Sequence, residues 1–318
     1  MIDAQTRPQD APPSLAPTYY ERPLLKGPHW EWNVVTYLFL GGITGGLGLI
    51  ALLAGDSPQE RRLRRTARYA SLALAAANPA VLMTHLGRPE RFLNMLRIVK
   101  FKSPMSLGVW GLVLYSGVAA GNVVRQLADD GRLPSGVRML FPGLLTPVQA
   151  MLGVFIAGYT GVLLGATAIP LWGKGKIHIP AAFVCSGIAG ACALTTLLST
   201  LEGNHRVVRK LERLELVASL AELGIVLHFR VSAAELGRPM FDGARGERFE
   251  RHTLREGIGW SLALTLFGRL PLPKSVDALR SIGASILTLI GGYVLRETLI
   301  EAGKASILDP RTASIQPR

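Results

Sequence analysis

Residues 257–272 read GIGWSLALTLFGRLPL, an apolar stretch that is short, holds Arg269 and runs into the PLP of Pro271–Pro273. Whether it crosses a membrane decides whether the chain has seven or eight spans, and on which side its C-terminus lies. The question arises because the rest of the chain is written for lipid. Of 318 residues, 49% are apolar and only 18% charged, and the mean hydropathy is +0.30, well above that of soluble domains. A spanning helix needs about 20 largely apolar residues to cross about 30 Å of hydrocarbon. Segments 33–55, 69–87, 106–128, 147–171, 179–200, 214–234 and 277–299 meet that length more comfortably than 257–272 does. Counting all of them predicts an all-α integral membrane protein of eight transmembrane helices.

A repeated tetrapeptide suggests how the eight are grouped. LGRP stands in HLGRPERFLNMLRIVKFKSPMS, residues 85–106, and again at Leu236–Pro239. The first copy follows the second span and the second follows the sixth, equivalent places in two four-helix bundles related as a parallel repeat. The expected organisation is an extended N-terminal arm over 1–32, a first bundle over 33–171, a second over 179–299 and a short tail over 300–318. Gly and Pro also make LGRP a good helix terminator, Gly by tolerating a left-handed C-cap, so termination alone is the competing reading. Both copies are followed by charged residues, and FLNMLRIVKF is amphipathic enough to lie along the interface. The resulting shelf, with Arg88, Arg91 and Arg238, suits either a soluble subunit or anionic lipid head groups.

The formal charge of +13 gathers in connections such as RRLRR at 61–65. That is the pattern of membrane topology and not of nucleic-acid binding. The Lys and Arg count leans toward a cytoplasmic N-terminus, whereas RRLRRTAR directly after the first span pulls the other way, and the rule does not decide. The N-terminal segment lacks the apolar core and cleavage site of a signal peptide. Cys185 and Cys192 lie seven apart inside one span, too few for a cluster or structural zinc. His29, His178, His205 and His252 fall at span ends or in connections, which leaves His85 and His228 on helices at different depths and no axial pair for haem.

Ionisable residues inside lipid are costly and therefore informative. The sixth span, in LELVASLAELGIVLHFR, places Glu215 and Glu222 seven apart on one face, with His228 nearer its far end. These three are the candidate proton relay, although Glu215 could equally sit at the interface beside Arg213. A second group lies where the first span begins and the fourth ends: His29, Asn33 and Tyr37 in HWEWNVVTY, and Tyr159 with Thr160 in AGYTGVLLG. A phenol, an amide and aromatic walls suit a quinone, whose carbonyls need donors and whose ring needs an apolar slot. Trp30 and Trp32 are equally consistent with an interfacial aromatic belt.

YYERPLLKGPHWEW with YLFLGGITGG, LGRPERFLNMLRIVKFKSPMS, YTGVLL and LELVASLAEL resemble the NrfD/PsrC family, the polysulfide-reductase-type membrane subunits of bacterial respiratory oxidoreductases. The resemblance covers nearly the whole chain. It implies an eight-helix, two-bundle protein of the bacterial inner membrane, with no haem or metal of its own. It further implies a quinone or quinol (menaquinone or ubiquinone) site near the face where a ferredoxin-like iron–sulfur subunit docks, on the periplasmic side, with a molybdopterin or other catalytic subunit beyond. Tyr159 takes the place of the family's quinone-contacting tyrosine. The polysulfide-reductase members have Asn and His in the first helix where this chain has Val34 and Tyr37, with Asn33 adjacent, a departure within the site itself. Two other classes remain open on the residues: a secondary transporter with intramembrane carboxylates, and a passive anchor.

Overall fold

A computed structural model describes residues 28, 30–84, 94 and 96–308. The described residues are helical throughout, without strands. Helix α1 spans Trp32–Leu53 and α2 spans Pro58–Met83. Between them the chain turns at GDSPQE, where Ser57 accepts the Glu60 amide at 3.3 Å and donates to its carboxylate at 3.0 Å. Ser57 thus caps the helix, with Pro58 at the first helical position. Helix α3, Pro104–Asp129, starts in the same way, with Ser103 accepting the Ser106 amide at 3.4 Å and Pro104 behind it. Then come α4 (Leu145–Gly165), α5 (His178–Leu201) and α6 (His205–Ala233).

Residues 257–272 do not form a helix of their own. A helical run begins much earlier as α7 (Gly243–Phe249), widens into a π-helix over Glu250–Trp260 and closes as α8 (Ser261–Phe267). The wide turns press backbone on backbone: a Cβ on Gly257 would lie 2.6 Å from the Gly291 Cα, and Thr253 donates to the Gly291 carbonyl at 3.2 Å. Gly291 belongs to α9, Lys274–Leu308. That helix continues past the expected end at 299, so the tail expected over 300–318 is helical as far as 308. Residues 309–318 lie outside the described residues, as do 1–27 of the expected arm.

Among the described residues, six helices are long and apolar enough to cross a membrane: Trp32–Leu53, Pro104–Asp129, Leu145–Gly165, His178–Leu201, His205–Phe241 and Lys274–Leu308. The other two expected spans coincide with α2, whose first turns carry RRLRR, and with the end of the 243–267 run. The LGRP expectation needs correcting at its second copy. Gly237 has φ −79° and lies in a tight 3₁₀ turn, Ala234–Gly237. The residue with positive φ is Ala234, at 45°, so α6 breaks two residues before the motif. Pro239 then opens the short helix Arg238–Phe241, the position where its missing N–H costs nothing. The first copy lies outside the described residues.

Helix α1 is the axis of the packing. It contacts α2, α4, α5 and α9, while α3 packs on α2 and α4, α5 on α6, and α9 on α5 and the π-helix. Its GGITGG sequence permits this on two faces at once. A Cβ on Gly45 would lie 2.1 Å from the Gly153 carbonyl of α4, and one on Gly46 would lie 2.6 Å from both the Gly187 carbonyl and the Ala191 Cβ of α5. Small residues of this kind let backbones meet where lipid offers no hydrophobic drive.

Candidate functional site

Tyr159, one turn and a half before the end of α4, donates its hydroxyl to the Pro104 carbonyl at the start of α3, at 2.6 Å. The ring lies against Gly108, where a Cβ would come within 2.0 Å of it, and stacks with Phe155 at a centroid distance of 5.7 Å. Tyr37 of α1 is half-buried, an electrostatic neighbour of Tyr159, and packs on two apolar clusters, one holding Leu38, Phe183 and Val226 and the other Ala75, Leu112 and Ile156. The structure therefore brings Tyr37 and Tyr159 together at the end of the bundle where α1 begins. Asn33 is buried at that same end, with its side-chain oxygen accepting the Val34 amide at 2.9 Å. His29 lies outside the described residues. The two tryptophans part company: Trp32 faces outward, as in an aromatic belt, whereas Trp30 stacks on buried Trp172 at 5.1 Å.

Behind Tyr37 stands a group that sequence reading missed. Arg296 of α9 is only 1% exposed, yet its guanidinium donates to the Leu38 carbonyl at 3.1 Å, to the Gly292 carbonyl at 2.7 Å and to Ser186 Oγ at 3.1 Å. It also lies over the Phe183 ring at 4.8 Å. Glu222, also buried, is an electrostatic neighbour that approaches the same Ser186 hydroxyl, without a direct ion pair to Arg296. A buried cation of this sort is tolerable only when it is hydrogen bonded and a countercharge is near.

Glu222 is one end of a polar line along α6. Glu215 accepts from Thr288 at 2.6 Å and from Ser261 at 3.4 Å. Glu212, one turn further, accepts from Ser281 at 2.7 Å and pairs with Arg280 at 2.8 Å. Positions 212, 215, 219 and 222 share one helical face, and all four side chains are buried. Glu212 also lines a cavity of about 500 Å³ with Arg209, Arg213 and Arg269, at the end of the bundle opposite Tyr159. His228 is not part of this line. It bonds His178 instead, ring nitrogen to ring nitrogen at 2.8 Å, at the Tyr159 end. Of the expected docking arginines, Arg238 is half-exposed and pairs with Glu235 at 2.7 Å, while Arg88 and Arg91 lie outside the described residues.

Comparison with known proteins bears on what such an arrangement is for. The family described as "Polysulphide reductase, NrfD" matches residues 24–307. The chain belongs to this family. As an NrfD-family protein with six helices long and apolar enough to cross the bilayer, it is a multi-pass membrane protein. Its similarity to "Protein NrfD homolog" of Haemophilus influenzae is 24% identity over 87% of this chain and 95% of the relative. "Protein NrfD" of Escherichia coli is 28% identical over 64% of this chain and 71% of its own. The C chain of the polysulfide reductase of Wolinella succinogenes is 28% identical over 54% of this chain and 58% of its own.

Proposed function

We propose that this NrfD-family chain is the quinone-reactive membrane subunit of a respiratory oxidoreductase, exchanging electrons between the quinone pool and a docked iron–sulfur subunit. The observation that carries this reading is that Tyr37 and Tyr159 stand at one end of the first four helices, Tyr159 anchored on Pro104 and Tyr37 packed between both apolar clusters, with buried Arg296 bonded to the same turn of α1 through Leu38. The residues suit a quinone: two phenols, apolar walls from both neighbouring clusters, and a glycine that keeps the Tyr159 ring flat on α3. Eight helices cross the bilayer, α2 and the 243–267 run included, as two four-helix halves meeting at α1 and α5.

A bound quinone supplies the two-electron, two-proton chemistry; the chain supplies binding and protons. With its hydroxyl proton on the Pro104 carbonyl, the Tyr159 oxygen would act as an acceptor toward a quinol hydroxyl. Rotated off Pro104, it donates to a quinone carbonyl. Tyr37 offers the second hydrogen bond from α1, and Asn33 holds the first turn of that helix in place. Glu222, Glu215 and Glu212 form the proton line, opening at the far end into the cavity beside Arg209 and Arg269. His228 with His178 belongs to the Tyr159 end, where a partner subunit would dock beside Arg238. We place that end at the periplasm, as the family resemblance implies; the RRLRR cluster at the other end agrees, while the overall Lys and Arg count leans against it.

Tyr159→Phe removes one hydroxyl from a buried site. Quinol-dependent turnover of the native complex is expected to fall while co-purification of the partner subunits is retained; unchanged turnover would sink the role of Tyr159. Mild-detergent purification from native membranes with mass spectrometry tests the partner. Recovery of an iron–sulfur subunit supports the reading, and a chain that emerges alone and transports a solute in vesicles would replace it with the transporter.

A further inference from the structure

The run RRLRRTAR, residues 61–68, holds five arginines that neither the quinone site nor the proton line uses. Taken one by one, some are structural. Arg64 ties down the α1–α2 turn by donating to the Ala54 carbonyl at 2.6 Å and the Gly55 carbonyl at 2.9 Å. Arg68 points inward to Gln126 at 2.8 Å and Thr146 at 3.1 Å. Arg65 pairs with Asp130 at 3.1 Å but stays 42% exposed. Arg62 is exposed and, among the described residues, has no carboxylate partner. The same is true of Arg132, just past the end of α3.

Arg62, Arg65 and Arg132 meet at an open groove of about 860 Å³. Its floor is built from successive turns of α2 and the end of α5: Tyr69, Ala70, Ala73 and Leu198. Positions 62, 65, 66, 69, 70 and 73 fall on one helical face, so charge gives way to apolar wall along the direction in which the helix enters the bilayer. Glu202 also lines the rim and Asp130 holds Arg65, which leaves three guanidiniums against two carboxylates, with Arg62 and Arg132 in no ion pair among the described residues. A cationic mouth above an apolar floor matches a phosphodiester carrying an acyl chain, and the volume is of the size that small amphiphilic ligands fill. The groove lies between α2 of the first four helices and α5 of the last four, where a ligand would touch both halves.

We propose that this groove binds one anionic phospholipid, its phosphate held by Arg62, Arg65 and Arg132 and one acyl chain laid on Ala70, Ala73 and Leu198. The site is on the end of the protein opposite Tyr159, and it needs no assumption about the quinone.

The test incubates the purified full chain with phosphatidylcholine vesicles doped with phosphatidylglycerol, re-extracts it in mild detergent and measures retained lipid by mass spectrometry. The wild-type chain should retain phosphatidylglycerol in preference to phosphatidylcholine. Substituting Arg62→Ala with Arg132→Ala should lower that preference roughly 25-fold, since each interfacial arginine contributes about fivefold. Both side chains are exposed and unpaired, so the fold is unaffected. Ala73→Trp, which fills the groove without touching charge, should also lower retention, and excess inorganic phosphate should not displace the lipid. Equal retention by the wild type and the double variant overturns the proposal. Displacement by inorganic phosphate, with indifference to Ala73→Trp, overturns it in favour of a free-anion site.

Discussion

Helices α1–α4 in the first half of the chain and α5–α9 in the second half each bury a polar network, and the networks differ in kind. In the first half, Arg68 leads through Gln126 and Thr146 to Asn122 (3.1 Å from Thr146), Gln149 (2.7 Å from Asn122) and Ser71 (2.7 Å from Gln149). Ser71 in turn bonds Tyr115 at 2.7 Å, and Asn78 bonds Thr44 at 3.0 Å. A carboxylate enters only at the outer rim, where Gln126 donates to Asp130 at 3.0 Å. In the second half the corresponding groups are Glu212, Glu215 and Glu222 with Arg280 and Arg296. Amides have fixed donor and acceptor ends and cannot take up or release a proton at neutral pH, so the first network serves as a brace. Carboxylates can, and the second network is suited to carrying protons. On the function proposed above, a rigid half beside the quinone and a titrating half next to it divide positioning from proton movement.

The largest test of that division removes the cation. Arg296→Leu leaves Glu222 buried without its neighbouring cation and removes the side-chain donor to the Leu38 and Gly292 carbonyls, a loss of about 3–5 kcal/mol that thermal denaturation of the purified chain would register. A variant of near wild-type stability would mean that Glu222 is held by something other than Arg296.

A matched pair separates bracing from conduction. Glu215→Gln keeps the shape and an oxygen to accept from Thr288, so stability should change little, while proton-coupled quinol turnover drops on the order of 100-fold. Gln149→Leu should do the reverse. It strands Asn122 and Ser71 at about 1–3 kcal/mol for each buried group left unpaired, with turnover per folded molecule retained. If both variants lose turnover at full stability, the halves are not divided as proposed.

Smaller effects are expected where the halves meet α1. Gly45→Ala drives a methyl into the Gly153 carbonyl and should cost about 1–3 kcal/mol. Gly41→Ala meets nothing within 4 Å and serves as the neutral control. Smallest of all is the surface link from α6 to α2, where Lys210 reaches the Glu60 carboxylate at 2.8 Å. That bond, with help from Ser57, holds the Glu60 carboxyl below its ordinary range. A depressed folded pKa stabilises above the unfolded value, about 4.3, and the contribution is lost as pH falls through the folded value. Lys210→Met should therefore differ from the wild type above about pH 4 and converge with it in stronger acid, as followed by denaturation across pH.

Some of these groups were legible in the sequence and others were hidden for identifiable reasons. Tyr37, Tyr159, Glu215 and Glu222 stood out because a polar group in an apolar span is costly. Arg296 did not, because the expected span 277–299 put it near an end, whereas α9 runs to Leu308 and carries it into the interior. Gln149, Asn122 and Asn78 were overlooked because single amides in apolar helices are common, and only the packing turns them toward one another. His228 was read as part of the relay by its place on α6, but the helical phase and the neighbour His178 take it elsewhere.

By itself the sequence determined that the chain is a helical membrane protein, where most of its long helices lie, and which end collects the aromatic and phenolic groups. These follow from local chemistry: apolar runs of spanning length, Ser and Pro at helix starts, and the cost of polarity in lipid. Only the tertiary structure decided that Arg296 answers Glu222, that the amides of the first half close into a network, and that residues 257–267 finish a helix begun at Gly243. Each of these depends on which face of one helix meets which face of another, and in this molecule the close approach of glycine backbones sets that relation.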